Sequence, residues 1–243
     1  MVRGINSFRD WFRGYDSHYI VIGGTACDLL MGEAGEVFRA TRDIDMVLIV
    51  EALTAEFGSR IWGYVSVAGY EQRLKSTGVP EYYRFLNPKS SEYPAMIELF
   101  SRRIDGITLP PEAVLTPLPI SDDISSLSAI LLDDDYYDFL QTGTTIVDGI
   151  PVPDVSRLIL FKAKAWLDLT ERKARGDQVD GKNIRKHKND VLRLSALLPA
   201  DTKIALPSPV MNDLRRFLAE VDGPERYARV AAAYDLSDII SSG

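Results

Sequence analysis

Two aspartates stand one residue apart at the start of an apolar segment, in the stretch RATRDIDMVLIV at positions 39–50. Alternate residues of a β-strand point to the same face, so Asp43 and Asp45 are expected to project together. Two neighbouring carboxylates repel each other unless a cation lies between them. Mg²⁺ takes oxygen ligands and commonly uses one or two carboxylates together with phosphate oxygens. The pattern indicates a metal site at a strand end; a solvated strand end, or pairing with Arg39 or Arg42, is the alternative.

Two glycines earlier in the chain have the setting of a phosphate-binding turn. The stretch YIVIGGTACDLL, from residue 19, indicates a short strand that ends in Gly23-Gly24 and feeds a helix, with Thr25 as a candidate N-cap. Backbone N–H groups and the helix dipole at such a start favour phosphate. Glycine also lets the backbone approach a ligand closely. The alternative interpretation is an ordinary turn without a ligand.

A third acid lies within an otherwise apolar segment, AMIELF at 95–100. A carboxylate inside an apolar strand is costly unless it is compensated. A neighbouring strand would place Glu98 beside Asp43 and Asp45, which gives three carboxylates around one or two metal ions. An edge strand that exposes Glu98 to water is the alternative.

The elements that must position these residues follow from hydrophobic periodicity and turn residues. In the first part of the chain we expect helices at 5–16, 25–32 and 51–60, and strands at 19–24, 43–50, 64–69, 81–87 and 95–100. A Pro-rich link at 108–120, a strand at 127–132 and a hairpin at 144–153 around Asp148-Gly149 follow. Helices are expected at 155–175, 182–198, 209–222 and 224–234. The pattern predicts an α/β (α+β) domain over 1–150 and a helical part over 151–243.

Composition narrows the class of protein. Of 243 residues, 46% are hydrophobic and 26% charged, as in soluble globular proteins. No apolar run reaches the roughly 18 residues that a membrane span needs, and the charged N-terminus lacks a signal-peptide core, so we expect a cytoplasmic protein. The net charge of −7 argues against a wholly basic nucleic-acid binder. Residues 157–193, however, carry eleven Lys or Arg against five Asp or Glu, which suits an anionic partner such as RNA or a nucleotide; a solvated face is the alternative.

The order of these features resembles the nucleotidyltransferase superfamily that includes DNA polymerase β. The segments GGTACDLL and RATRDIDMVLIV are similar to its strand–glycine–helix and Asp-x-Asp elements, and are closest to the AbiEii/AbiGii-type nucleotidyltransferase toxins. LILFKAKAWLDLTERKARG and KHKNDVLRL look like the lysine helix and a later segment of that family. The resemblance implies a mixed sheet with flanking helices that moves a nucleoside monophosphate (NMP) from an NTP to a hydroxyl, with Mg²⁺.

The resemblance also implies a role for each matching residue of the first part of the chain. Gly23 and Gly24 would hold the triphosphate, with Thr25 and Thr41 in the same nucleotide site. The carboxylates described above would ligate Mg²⁺, and Glu98 would help to deprotonate the attacking hydroxyl. Glu98 stands where many members of the superfamily have Asp, so the third carboxylate has a longer arm.

In the helical part, the resemblance implies that Lys164, or failing that Lys162, neutralises phosphate charge. Asp190 would position that lysine or the substrate. The two lysines are two residues apart and therefore project about 200° apart on a helix, so at most one is expected to reach the site.

The acceptor and the partners stay open at this point. An RNA end such as that of tRNA, a protein hydroxyl or a small molecule would each fit, and an aminoglycoside-type nucleotidyltransferase is the alternative enzyme. A catalytically silent nucleotide-binding module, held as a toxin-like partner by an antitoxin, is the alternative from another class. A structural α/β domain without a metal is the third.

Overall fold

The chain folds into two compact units. The computed structural model describes residues 2–74, 80–100, 133–199 and 201–241. Among these, the first unit contains 2–74, 80–100 and 144–152, and the second contains 133–143, 153–199 and 201–241. One break between the units follows Val152, and the domain boundary expected at 150 stays a prediction. The expected link at 108–120 and strand at 127–132 lie outside the described residues.

The first unit combines helices with strands, and the described residues of the second unit are mainly helical. In chain order they are α1 Ile5–Phe12, β1 Tyr19–Ile22, α2 Gly23–Glu33, β2 Asp43–Leu48, α3 Ala55–Ala68, β3 Glu71–Leu74, β4 Pro80–Leu86, β5 Met96–Phe100, α4 Asp134–Gln141, β6 Thr144–Val147, β7 Ile150–Pro153, α5 Val155–Ala174, α6 Gly181–Ser195, α7 Ser208–Glu220, α8 Ala228–Ala233 and α9 Ser237–Ser241. No helix among the described residues is both long enough and apolar enough to cross a membrane.

Five strands form one mixed sheet in the order β1-β2-β5-β4-β3. The β2–β5 pair is parallel and the other three pairs are antiparallel. The parallel pair requires a long crossover, which the chain supplies through α3, β3 and β4. The predicted α/β class, with a mixed sheet and flanking helices, is confirmed. The Asp148-Gly149 hairpin is confirmed as well, and both turn residues have the positive φ of a type I′ turn, 48° and 74°.

The two faces of this sheet have different surroundings. Asp43 and Asp45 are half-buried on one face of β2, whereas Ile44 and Met46 are fully buried on the other. That second face also carries Tyr19, because β1 pairs with β2 so that Tyr19 lies opposite Leu48. Tyr19 contacts a ring cluster from α1 and α3 formed by Phe8, Phe12 and Phe57. The strand is therefore anchored by one face, and its aspartates occupy the other.

Helix α3 is longer than the sequence predicts and replaces the strand expected at 64–69. Thr54 caps its start by accepting a hydrogen bond from the Phe57 amide at 3.1 Å, and Gly69 ends it with φ 65°. Its buried positions Phe57, Ile61, Tyr64, Val65 and Ala68 follow the helical period. Packing of this face against the sheet overrides the β propensity of the Val-rich segment.

The second unit is built around α5, which packs against α6 and α7. Asp154 caps α5 by accepting from the Arg157 amide at 2.9 Å. Helix α4 was not expected from the sequence. Asp133 caps it, and Tyr136, Tyr137 and Leu140 supply a buried helical face.

Candidate active site

One row across the sheet brings together residues from four strands. Ile22 of β1 lies opposite Asp45 of β2, Asp45 lies beside Glu98 of β5, and Glu98 lies opposite Arg84 of β4. Register partners on neighbouring strands project to the same face. Asp45, Glu98 and Arg84 therefore share one face with Asp43, which lies two residues before Asp45. We call these four side chains the carboxylate row.

Gly23 closes one side of the row because it follows Ile22 directly. Its φ of 71° lies in the left-handed region, and a Cβ built there would lie 1.9 Å from Asp45 Oδ2. Any side chain at this position would therefore displace the Asp45 carboxylate. The N-terminus of α2 begins at the same residue, so the positive end of the helix dipole lies next to this carboxylate.

Gly24 makes a second close approach, to the segment that enters β2. A Cβ at Gly24 would lie 2.8 Å from Thr41 Oγ1 and 3.6 Å from Arg39 Nη2. The structure thus brings Thr41 and Arg39 to the helix start that the sequence indicated for phosphate. Both are polar groups suited to anionic oxygen, by hydrogen bonding and by charge respectively.

Thr25 has a different local role from the expected cap. Helix α2 begins two residues earlier, with Ile22 at the N-cap position and no side-chain capping bond. The Thr25 side chain is completely buried, and its hydroxyl donates to the Asp43 carbonyl oxygen at 2.5 Å. This bond ties the first turn of α2 to the first residue of β2, so Thr25 holds the backbone of a candidate metal ligand.

Arg84 holds the third carboxylate. Its Nε and Nη2 atoms both lie 2.5 Å from Glu98 Oε1, and the Glu98 side chain is 15% exposed. In the described part of the chain, no three His, Cys, Asp or Glu side chains are gathered closely enough to hold a metal ion. By donor type the carboxylates on this face suit Mg²⁺, and Asp45 and Glu98 already lie side by side on adjacent strands. To ligate with them, Glu98 must exchange its contact with Arg84.

In the second unit, the structure pairs Lys162 with Asp190. Lys162 Nζ lies 3.4 Å from Asp190 Oδ2, and the two side chains are 2% and 1% exposed. Buried charges of opposite sign are held together because neither can be solvated by water. The pair joins α5 to α6. A part for Lys162 or Asp190 in nucleotide binding stays a prediction.

Lys164 projects to a different side of α5 and is partly exposed. Its ammonium donates to Asp213 Oδ2 at 2.7 Å and lies 5.5 Å from the centroid of the Tyr136 ring. The Tyr136 hydroxyl donates to the same carboxylate oxygen at 3.0 Å. Burial first, and then the charge of Asp213, raise the pKa of Tyr136 above its ordinary value, so the phenol remains a donor. Lys162 and Lys164 thus have different partners, Asp190 and Asp213, and the role of Lys164 stays a prediction.

The sequence interpretation did not include Arg84 in the site. Its strand was anticipated at 81–87, but the pairing of that strand with β5 was not. Arg84 lies next to the buried Phe85 in EYYRFLN, where polar and apolar residues do not alternate regularly. The sequence therefore carried no clear signal for Arg84, which becomes informative only once β4 is known to neighbour β5.

Comparison with solved structures finds similar chains, two of which are described here. An antigenic nucleotidyltransferase-like protein from Paracoccidioides brasiliensis is 15% identical, with a TM-score of 0.48 over 92% of this chain and 88% of that chain. The antibiotic-resistance factor ANT(2'')-Ia is 14% identical, with a TM-score of 0.31 over 74% of this chain and 80% of that chain. No family profile and no curated protein matches the sequence. At this level of identity, neither likeness assigns an activity to this chain.

Proposed function

We propose that this protein is a metal-dependent nucleotidyltransferase that moves an NMP from an NTP to a hydroxyl acceptor. The observation that carries the proposal is the pairing of Asp45 with Glu98 on adjacent strands, directly beside the close approach of Gly23. Carboxylates for a metal and a glycine turn for a phosphate are thereby next to each other. Their order along the chain is the order that the sequence resemblance implies.

Some residues of the first unit would bind the metal ion, and others would bind the triphosphate. Asp43 and Asp45, with Glu98 after it leaves Arg84, would hold Mg²⁺. Mg²⁺ bound there would supply positive charge against the α-phosphate and lower the pKa of the attacking hydroxyl. The amides at Gly23 and Gly24 would hold the triphosphate at the start of α2.

The remaining groups support this arrangement. Thr41 and Arg39 would contact phosphate oxygens beside Gly24, and Thr25 would act through the backbone of Asp43. Lys164 would neutralise phosphate charge, as the resemblance implies, while the buried Lys162–Asp190 pair would stabilise the helical unit that carries it.

The transfer itself requires positioning and charge neutralisation more than covalent help from the protein. The acceptor oxygen attacks the α-phosphorus, and its proton passes to a carboxylate oxygen of Glu98. The bond from the α-phosphorus to the bridging oxygen breaks, and pyrophosphate leaves with the electron pair. We place this reaction in the cytoplasm.

RNA is the acceptor class that we favour. Helix α6 exposes Lys182, Arg185 and Arg193. Arg185 and Arg193 follow Lys182 by three and eleven residues, so all three cations lie on one side of the helix. When these cations bind the phosphate backbone of RNA, counterions are released from the RNA. Binding should therefore weaken as the salt concentration rises.

Transfer of label tests the proposed function. The purified chain is incubated with each α-³²P NTP, Mg²⁺ and total RNA, beside a variant that combines Asp43→Ala with Asp45→Ala. We expect labelled RNA with the natural chain only. Label on a protein would support the same reaction with a protein hydroxyl as the acceptor. Label on a small molecule would support an aminoglycoside-type nucleotidyltransferase. No transfer, together with melting unaffected by Mg²⁺ and NTP, would overturn the proposal.

Thr25→Val is expected to weaken both stability and transfer. The substitution keeps the shape but leaves the partly buried Asp43 carbonyl without this donor, which costs about 1–2 kcal/mol of unfolding free energy. Because the start of β2 loses an anchor, transfer should fall about tenfold. Thr170→Val is the matched control, since it removes a hydroxyl–carbonyl bond of 2.7 Å within α5. Urea titration and the label assay measure the two effects; equal transfer by both variants would remove Thr25 from the site.

A toxin-like role, with an antitoxin as partner, follows from the sequence resemblance alone. Induced expression in a bacterial host should then arrest growth, and the variant that combines Asp43→Ala with Asp45→Ala should not. Normal growth with abundant natural protein would leave the nucleotidyltransferase proposal in place without the toxin role.

A further inference from the structure

Arg84 is a cation placed among carboxylates that would bind a cation of their own. It lies opposite Glu98 in the β4–β5 register, so the ion pair is set by strand pairing. Both of its contacting nitrogens converge on Oε1 alone. Among the described residues, the second Glu98 oxygen makes no such contact. Glu98 is thus held by one oxygen while the other remains available for an incoming ligand.

The charges explain why this contact affects metal binding. The carboxylate row holds three acids and one arginine, and a guanidinium stays protonated at any physiological pH. A divalent ion that recruits Glu98 must compete with this fixed positive charge. The Arg84 side chain is 31% exposed, so water can reach its guanidinium, but an anion that replaces the carboxylate would hold the guanidinium more strongly than water does. The triphosphate of a nucleotide supplies such an anion.

We propose that Arg84 is a positioning residue that holds Glu98 out of the metal site until a nucleotide arrives. The inference rests on the proposed function and extends it to the order of binding. Without nucleotide, Arg84 occupies Glu98 and divalent metal binds weakly. With nucleotide, phosphate oxygens take over Arg84, Glu98 turns to the metal, and all three acids of the row become ligands. Metal and nucleotide then strengthen each other's binding by the same factor.

Metal binding without turnover tests this exchange. The dissociation constant of Mn²⁺ is measured from the electron paramagnetic resonance signal of the free ion, with and without α,β-methylene NTPs. We expect the natural chain to bind Mn²⁺ at least about tenfold more tightly with nucleotide, within the range typical of linked sites. Arg84→Gln should bind Mn²⁺ about tenfold more tightly than the natural chain when nucleotide is absent, and should lose most of the nucleotide effect.

Three variants control the measurement. Arg13→Gln removes the same charge from an exposed ion pair with Asp10 on α1 and should leave both constants unchanged. Arg84→Lys keeps the positive charge but loses the two N–H groups that contact Glu98 together. We expect this variant to bind Mn²⁺ about threefold more tightly than the natural chain when nucleotide is absent. It also provides the measurement if Arg84→Gln does not fold. Adding Glu98→Gln to Arg84→Gln should cancel the gain, because the released carboxylate is then absent.

The outcomes separate the two proposals. The proposed role of Arg84 is overturned if Arg84→Gln and Arg84→Lys bind Mn²⁺ no more tightly than the natural chain when nucleotide is absent. This conclusion requires that the natural chain still binds Mn²⁺ when nucleotide is present. If the natural chain and Asp45→Asn bind Mn²⁺ equally poorly with every nucleotide, the proposed function fails and the exchange fails with it.

Discussion

Asp45→Asn should lower NMP transfer by about 10³-fold while the protein keeps its fold, which is the loss expected when one charged group of a preorganised site is removed. The amide has nearly the same shape as the carboxylate but lacks its charge. It also replaces one of the two hard oxygen ligands with an N–H₂ group that repels Mg²⁺. The substitution relieves repulsion between neighbouring acids but also loses the attraction to the positive end of α2, so the net change in unfolding free energy should be small.

Label transfer under saturating NTP measures the effect, and circular dichroism with thermal melting checks the fold. Asp16→Asn is the matched control, because Asp16 is an exposed aspartate just before β1, on the same unit. It should transfer label within about twofold of the natural chain, as expected of a surface substitution. Comparable transfer by Asp45→Asn and Asp16→Asn would remove Asp45 from the metal site and favour a structural role for the row.

The local parts of the site could be predicted from the sequence because they depend on short-range geometry. Asp43 and Asp45 share a face since strand side chains alternate, and the buried Ile44 between them shows the same alternation. The hairpin at Asp148-Gly149 follows from residues that tolerate positive φ. In each case, the local structure depends only on residues that are neighbours in the sequence.

The parts that could not be predicted depend on distant strands or on competing local bonds. The place of β5 between β2 and β4 is set by packing across the sheet, and only this order puts Arg84 next to Glu98. Thr25 has the composition of a cap, yet its hydroxyl satisfies a carbonyl eighteen residues away. The segment 64–69 has β-branched residues, but its buried spacing is helical. Tertiary contacts outweigh propensity at all three places.

Gly23→Ala is expected to cost about 2–5 kcal/mol of unfolding free energy and about 10²-fold in transfer. Two effects add at this position. A non-glycine residue at φ 71° carries backbone strain of about 1–2 kcal/mol. The new methyl would also lie 1.9 Å from Asp45 Oδ2, so the carboxylate must move, and overpacking of this kind costs about 1–3 kcal/mol more. A displaced metal ligand accounts for the loss of transfer.

Gly35→Ala measures the cost of backbone strain alone, because Gly35 has φ 75° but no atom within 4 Å of the added Cβ. It should lose only about 1–2 kcal/mol and keep full transfer. The collision is tested by repeating Gly23→Ala in an Asp45→Ala background, where the oxygen that the methyl strikes is gone. There Gly23→Ala should cost nearly the same as Gly35→Ala. An undiminished cost would mean that the glycine is required for the conformation of the turn alone. Recovery of stability in this background would locate the function of Gly23 in the room that it leaves for the Asp45 carboxylate; only stability is compared there, because the Asp45→Ala background has already lost transfer.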